Sequence, residues 1–107
     1  MEIPNYKIID KMENMLNIAS DSTRIKILYT LLDDKEDVVV EKTVSEIVDM
    51  TGASQSLVSH QLKVLKDARL VNFRKEGKNV FYSLSDRHVK LLLEVVYEHI
   101  MEEIDHE

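Results

Sequence analysis

The stretch Thr51-Gly52-Ala53-Ser54-Gln55-Ser56-Leu57-Val58-Ser59-His60-Gln61-Leu62-Lys63-Val64-Leu65 holds a helix stop, a turn and a helix start in that order. Thr51-Gly52-Ala53 breaks a short helix that Thr43 or Ser45 opens, with Val44, Ile47, Val48 and Met50 facing inward. Ser54 is of the type that caps helix N-termini, and Leu57, Val58, Leu62, Leu65 and Ala68 then recur at the period of an amphipathic helix. Two helices joined by a tight, glycine-containing turn form a helix-turn-helix. After Leu70 the period changes from helical to alternating: Val71 and Phe73, then Val80, Tyr82 and Leu84. Arg74 to Asn79 lies between them as a turn, with Gly77 free to take a positive φ. A hairpin in this position is a wing.

Upstream, Ile8, Ile9, Met12, Met15, Leu16 and Ala19 mark an amphipathic helix from about Asn5 to Ala19. Ser20 or Asp21 caps a second, in which Ile25, Ile27, Leu28, Leu31 and Leu32 continue the pattern and Arg24 and Lys26 form a polar side. The charge run Asp33 to Asp37 reads as a solvated loop; Val38 to Val40, extending toward Lys42 to Val44, reads either as a short strand or as a loop packed on the core. Downstream, Ser85 or Asp86 caps a long last helix with Val89, Leu92, Leu93, Val96, Ile100 and Ile104 inward, and Leu91 and Val95 widening the stripe. A stripe that broad exceeds what a small monomer exposes, so part of it belongs to a partner helix.

The expected fold is therefore mainly α with a small β-hairpin: one winged helix-turn-helix domain over 1–107. The helix-turn-helix spans about 44–68, the wing about 70–84 and the terminal helix about 86–105. At 107 residues the chain has room for one core. It contains no run of about 18 apolar residues and begins MEIPNYKIID, without a basic-then-apolar export signal, so a cytoplasmic protein with no membrane partner is expected. Without cysteine, disulfides and thiolate metal or redox sites are excluded. No glycine-rich phosphate loop, nucleophile elbow or triad pattern occurs, which argues against an enzyme.

Net charge is −6, yet residues 53–84 carry 6 basic and 2 acidic side chains between two acidic ends. A basic middle suits a localised nucleic-acid surface, which total charge would hide. Recognition helices read base edges from their N-terminal half with short polar side chains. Gln55 can pair bidentately with adenine, Ser54, Ser56, Ser59 and His60 sit where bases or phosphates come within reach, and Lys63 suits phosphate. Arg74, Lys75 and Lys78 on the wing would add salt-dependent phosphate or minor-groove contacts. The competing reading is an ordinary solvated helix and hairpin tip.

The terminal helix carries Asp86, His88, His99 and Glu102, nitrogen and oxygen donors that suit Zn(II) or a neighbouring divalent ion. His99 and Glu102, three apart, share a face, whereas His99 lies eleven residues beyond His88, about 16 Å along the axis. One helix cannot close such a set around one ion. Two-fold antiparallel pairing brings together residues whose numbers share a constant sum, and the sums for Asp86 with Glu102 and for His88 with His99 differ by one. That register predicts a homodimer with two sites, each taking Asp86 and His88 from one protomer and His99 and Glu102 from the other. Glu103, His106 or the C-terminal carboxylate could raise the coordination number toward the preference of Ni(II) or Co(II). A solvated acidic helix bearing two histidines is the bland alternative.

The segments Asp21-Ser22-Thr23-Arg24-Ile25-Lys26-Ile27-Leu28, Ser59-His60-Gln61-Leu62-Lys63-Val64-Leu65, and Gly77 with Phe81-Tyr82-Ser83-Leu84 resemble the ArsR/SmtB family of metal-responsive transcriptional repressors. The similarity runs from about residue 10 to 104. It implies a winged-helix homodimer joined through its terminal helices, binding operator DNA and releasing it on binding metal. Zinc-sensing members carry Asp-x-His and His-x-x-Glu or His-x-x-His on the last helix, matched by Asp86, His88, His99 and Glu102. In resembling proteins a ligating histidine reaches the main chain near the end of the recognition helix; here the donor would be His99 and the region that around Arg69. The acidic run with Val38 to Val40 is longer than the family's usual connection and has no assigned role. The alternative within the family is a DNA-binding repressor with no metal site or a different inducer.

Overall fold

Asn5, Asp21, Thr43, Ser54 and Asp86 each accept a hydrogen bond from the backbone N–H three residues on. Each thereby satisfies a donor that the first helical turn leaves open. The caps are Asp21, not Ser20; Thr43, not Ser45; and Asp86, not Ser85. In the computed structural model, which describes residues 1–33, 35 and 38–106, they start helices α1 (Tyr6–Ala19), α2 (Ser22–Thr30), α3 (Val44–Thr51), α4 (Gln55–Asp67) and α5 (Arg87–Asp105). Strands β1 (Val71–Glu76) and β2 (Asn79–Leu84) lie between α4 and α5. Asp34, Glu36 and Asp37 of the charge run lie outside the described residues.

α3 ends at Gly52, whose φ of 73° places it in the left-handed region and turns the chain into α4. Beyond α4 the hairpin runs antiparallel, with Val71 opposite Leu84 and Glu76 opposite Asn79. The ladder is longer than the alternation suggested. Arg74, Lys75 and Glu76 belong to β1, and only Gly77 and Lys78 remain as the turn. Lys42 forms a single bridge with β2, donating to the Tyr82 carbonyl at 3.0 Å and accepting from its N–H at 2.8 Å. Val38 to Val40 form no strand, and Val38 and Val39 are exposed.

Ile27, Leu28, Leu31, Ile47, Val58, Leu62, Leu65, Leu70 and Val71 form the core, joined by Val89 and Leu93 from α5. Burying one such side chain contributes about 1.5–3 kcal/mol. Several residues expected inward are not there: Ile25, Met50 and Leu57 are exposed, as are Leu92, Val96, Ile100 and Ile104 on α5. α1 has no buried residue at all. Arg24, expected on a polar face, is instead half-buried between helices, with hydrogen bonds to the Ile18 carbonyl and to Gln61.

Candidate nucleic-acid interface and metal-ligand residues

α4 buries Val58, Gln61, Leu62 and Leu65, which leaves Gln55, Ser56, Ser59, His60, Lys63 and Lys66 exposed on its other side. Ser54 spends one oxygen lone pair on the Leu57 N–H at 3.2 Å and lies 3.3 Å from the Ser56 hydroxyl. The wing packs near the end of this helix. The Lys66 ammonium sits 4.9 Å from the centre of the Phe73 ring on β1, a cation–π contact that keeps one more cation between helix and wing. Lys66 was missed in the sequence because its spacing marks only an exposed position; the ring it meets is on another element.

The wing cations are unequal. Lys75 and Lys78 are exposed. Arg74 is held by Glu41 at 2.5 Å and Glu76 at 2.6 Å, and its guanidinium lies 4.6 Å from the Phe81 ring centre. Those carboxylates, Glu41 foremost, raise its pKa further above an already high value. Glu41 belongs to the segment between α2 and α3, so sequence spacing gave no sign that it would meet the wing.

At the start of α5, Asp86 gives Oδ1 to the Val89 N–H at 3.1 Å, and its Oδ2 lies 3.6 Å from His88 Nδ1. The Val89 N–H first, and the charge of His88 more weakly, hold the Asp86 carboxyl below its usual range. The His88 side chain is 91% exposed and the His99 side chain 70%. Further along, His99 Nε2 lies 3.5 Å from Glu103 Oε1, so its near carboxylate is Glu103 and not Glu102. Within one chain no three of the described His, Asp and Glu residues come together as a metal-holding group. The four expected ligands sit, as their spacing implies, in two halves toward opposite ends of α5. Each half is an accessible imidazole with a carboxylate, a donor set that fits Zn(II) or a similar ion once a second half is supplied. Leu91, Leu92, Val95 and Val96 lie between them and are exposed.

Residues 21–72 match the model of the bacterial regulatory proteins of the arsR family. A SmtB homologue from Synechocystis, a transcriptional repressor, is 32% identical over 101 residues, covering 94% of this chain and 72% of that protein. The chain belongs to the ArsR family. A homologue of the cadmium-resistance regulatory protein CadC from Staphylococcus aureus is 40% identical over 80 residues, 75% of this chain and 62% of that protein. Reduced HlyU from Vibrio cholerae superposes with a TM-score of 0.73 at 35% identity, covering 86% of this chain and 90% of its own. For the fold alone, the homodimeric winged helix-turn-helix domain of Mb0332 from Mycobacterium bovis gives a TM-score of 0.83 at 24% identity, covering 100% of this chain and 96% of that one. The family and fold of this chain are thus those of DNA-binding transcriptional regulators and not of enzymes, and no described helix is long and apolar enough to cross a membrane.

Proposed function

We propose that the chain acts in the cytoplasm as a homodimeric repressor that releases operator DNA on binding Zn(II), with Ni(II) and Co(II) as the neighbouring choices. The observation that carries this reading is the outer face of α5, where an exposed apolar centre at Leu92 and Val95 lies between two histidine–carboxylate pairs. Antiparallel pairing about a point near residue 94 sets Leu92 against the partner's Val95 and the Asp86–His88 end against the partner's His99 and Glu102. The exposed row Ile8, Ile9, Met12, Met15 and Leu16 on α1 supplies further apolar surface for the same interface.

Asp86 keeps Oδ1 on its helix cap and turns Oδ2 to the site; His88 and His99 give imidazole nitrogens; Glu102 gives a carboxylate, with Glu103 beside His99 as a further oxygen donor. The ion, when bound, supplies a cross-link between two α5 helices. With metal bound, the second nitrogen of His99 would be the donor to the main chain near Arg69, at the end of α4. Arg69 has a φ of 62°, a conformation few residues other than glycine hold, so the junction of recognition helix and wing is a defined and strained element. On the DNA side, Gln55 addresses a base edge; Ser54, Ser56, Ser59 and His60 address bases or phosphates; Lys63, Lys75 and Lys78 address phosphate, and Arg74 does so in competition with Glu41. By linkage, DNA weakens metal binding by the factor by which metal weakens DNA binding.

The test is the affinity of the purified protein for its own upstream DNA, with and without Zn(II), beside a His88→Ala variant. Zinc is expected to lower the native affinity by about 5- to 150-fold, the usual span of allosteric coupling. His88→Ala should bind DNA as the native protein does and ignore zinc. A native protein whose DNA affinity is indifferent to all three ions is an ArsR-family regulator with another inducer or none.

A further inference from the structure

Gln61 is 8% exposed, an amide among the apolar side chains on the inner face of α4. Its Oε1 accepts from Arg24 Nη1 at 2.8 Å. The same guanidinium donates from Nε to the Ile18 carbonyl in the last turn of α1 at 2.6 Å. Arg24 is placed for this by its own helix start: Asp21 caps its N–H at 3.1 Å, and a side chain in a first helical turn leans back toward the N-terminal end, where α1 finishes. The planar guanidinium points two donors in fixed, different directions, which a lysine ammonium cannot do. Two sequence segments 37 residues apart, Asp21 to Leu28 and Ser59 to Leu65, thus meet at a single side chain.

Apart from the Arg24 bond, α1 is held to the rest of the chain by its last turn, where Ile18 and Ala19 pack half-buried against the core. None of its residues is buried, and among the described residues no other hydrogen bond ties it to α2, α3 or α4. Its exposed apolar row needs a second surface to cover it. Among the described residues, a shift of α1 on that surface has one hydrogen-bonded route to α4, from the Ile18 carbonyl through Arg24 to Gln61, beside the packing of Ile18 and Ala19.

We propose that Arg24 and Gln61 are positioning residues for DNA recognition: their bridge locks α4 to the end of α1, so that the seating of α1 sets the angle at which α4 enters the groove. This rests on the reading of α4 as the recognition helix but not on the metal site. Neither residue needs to touch DNA. Their loss should reduce sequence discrimination while leaving the phosphate contacts of Lys63, Lys75 and Lys78 in place.

The test compares affinity for upstream DNA with affinity for random duplex at one salt concentration, using the full chain. Gln61→Leu should lose at least about 10-fold on upstream DNA while random-duplex affinity stays within 2-fold, a small part of the specific-to-non-specific margin. Gln61→Glu, whose carboxylate still accepts from Arg24, should keep the native ratio, and Arg24→Lys should lose it. Arg24→Leu combined with Gln61→Leu should be no worse than the poorer single variant. In the DNA-free protein, Gln61→Leu should also speed hydrogen exchange in the last turn of α1, a readout that holds even if the native protein fails to discriminate its upstream DNA and the operator reading falls. Should Gln61→Leu not fold, Arg24→Met takes its place in both measurements. Equal losses on specific and random DNA, additive single effects, or unchanged exchange at the end of α1 would each overturn the proposal.

Discussion

The middle of the chain and its two ends are built to different standards of completeness. From Ile27 to Val71 the protein has its own core, with nine of the eleven core residues among the described ones lying in that span. α5 adds only Val89 and Leu93, and α1 adds no buried residue. The ends nonetheless carry long apolar rows, at Ile8, Ile9, Met12, Met15 and Leu16 on one helix and Leu91, Leu92, Val95, Val96, Ile100, Met101 and Ile104 on the other. The middle is finished within one chain, whereas the ends bear apolar surface that the single chain leaves exposed. Under the proposed function, the half that reads DNA folds within one chain, while the half that decides when to read it is completed by assembly.

The comparison breaks most severely if the core is not what holds the middle. Leu62→Ala removes a fully buried side chain from α4 and should cost about 2–5 kcal/mol, read as a lowered midpoint in urea. A loss below about 1 kcal/mol would mean that the middle, too, draws its stability from a partner. Next in size is Val95→Glu, which sets a charge at the centre of the outer face of α5, where Val95 is 59% exposed in the single chain. Sedimentation should then show a monomer, with helical circular dichroism largely kept. Affinity for upstream DNA should fall by about 100-fold or more, since two linked reading heads become two separate ones. A variant that stays dimeric would move the interface away from α5.

A smaller effect distinguishes the wing's cations. Lys75→Ala and Lys78→Ala should each reduce the slope of log affinity against log salt by about 1.8, as expected for one phosphate contact from each of the dimer's two wings. Arg74→Ala should change it less, because Glu41 and Glu76 already occupy that guanidinium. Glu41→Gln should steepen the slope by freeing Arg74 for phosphate. No change in Glu41→Gln would place Arg74 off the DNA.

Legibility in the sequence follows the same division. The helix-turn-helix and wing could be read because their signals are local: Ser54 before an apolar period, Gly52 where φ must be positive, alternation from Val71 to Leu84. The errors fall where a tertiary contact overrides a local pattern. Leu92, Val96, Ile100 and Ile104 have helical spacing and were expected inward, but periodicity cannot tell a core from an interface. Arg74 looks like any wing cation until Glu41 arrives from another segment, and Arg24 looks solvated until Gln61 faces it. For the proposed metal donors, spacing gives only their positions along α5; that His99 lies by Glu103 rather than Glu102 depends on side-chain rotation, which spacing does not fix.

The smallest expected effect tests whether the middle keeps its own electrostatics. Thr43 and Glu46 form a reciprocal cap at the start of α3: the Thr43 hydroxyl accepts from the Glu46 N–H at 3.2 Å, and Glu46 Oε1 accepts from the Thr43 N–H at 3.0 Å. The Thr43 backbone first, and its hydroxyl second, lower the Glu46 pKa from its ordinary value of 4.5. A carboxyl whose pKa is depressed on folding stabilises the fold above its unfolded value and loses that contribution as pH falls through the folded one. The start of α3 should therefore loosen only below the ordinary glutamate range, as a carboxyl-carbon NMR titration of Glu46 would record. Thr43→Val should bring the Glu46 pKa back toward 4.5 by removing the hydroxyl donor, though only in part, because the backbone N–H remains. Since this cap lies wholly within the middle, zinc should leave the Glu46 titration where it was. A zinc-dependent shift there would mean that the reading half is electrostatically coupled to the ends, and that the division between them is less sharp than their burial implies.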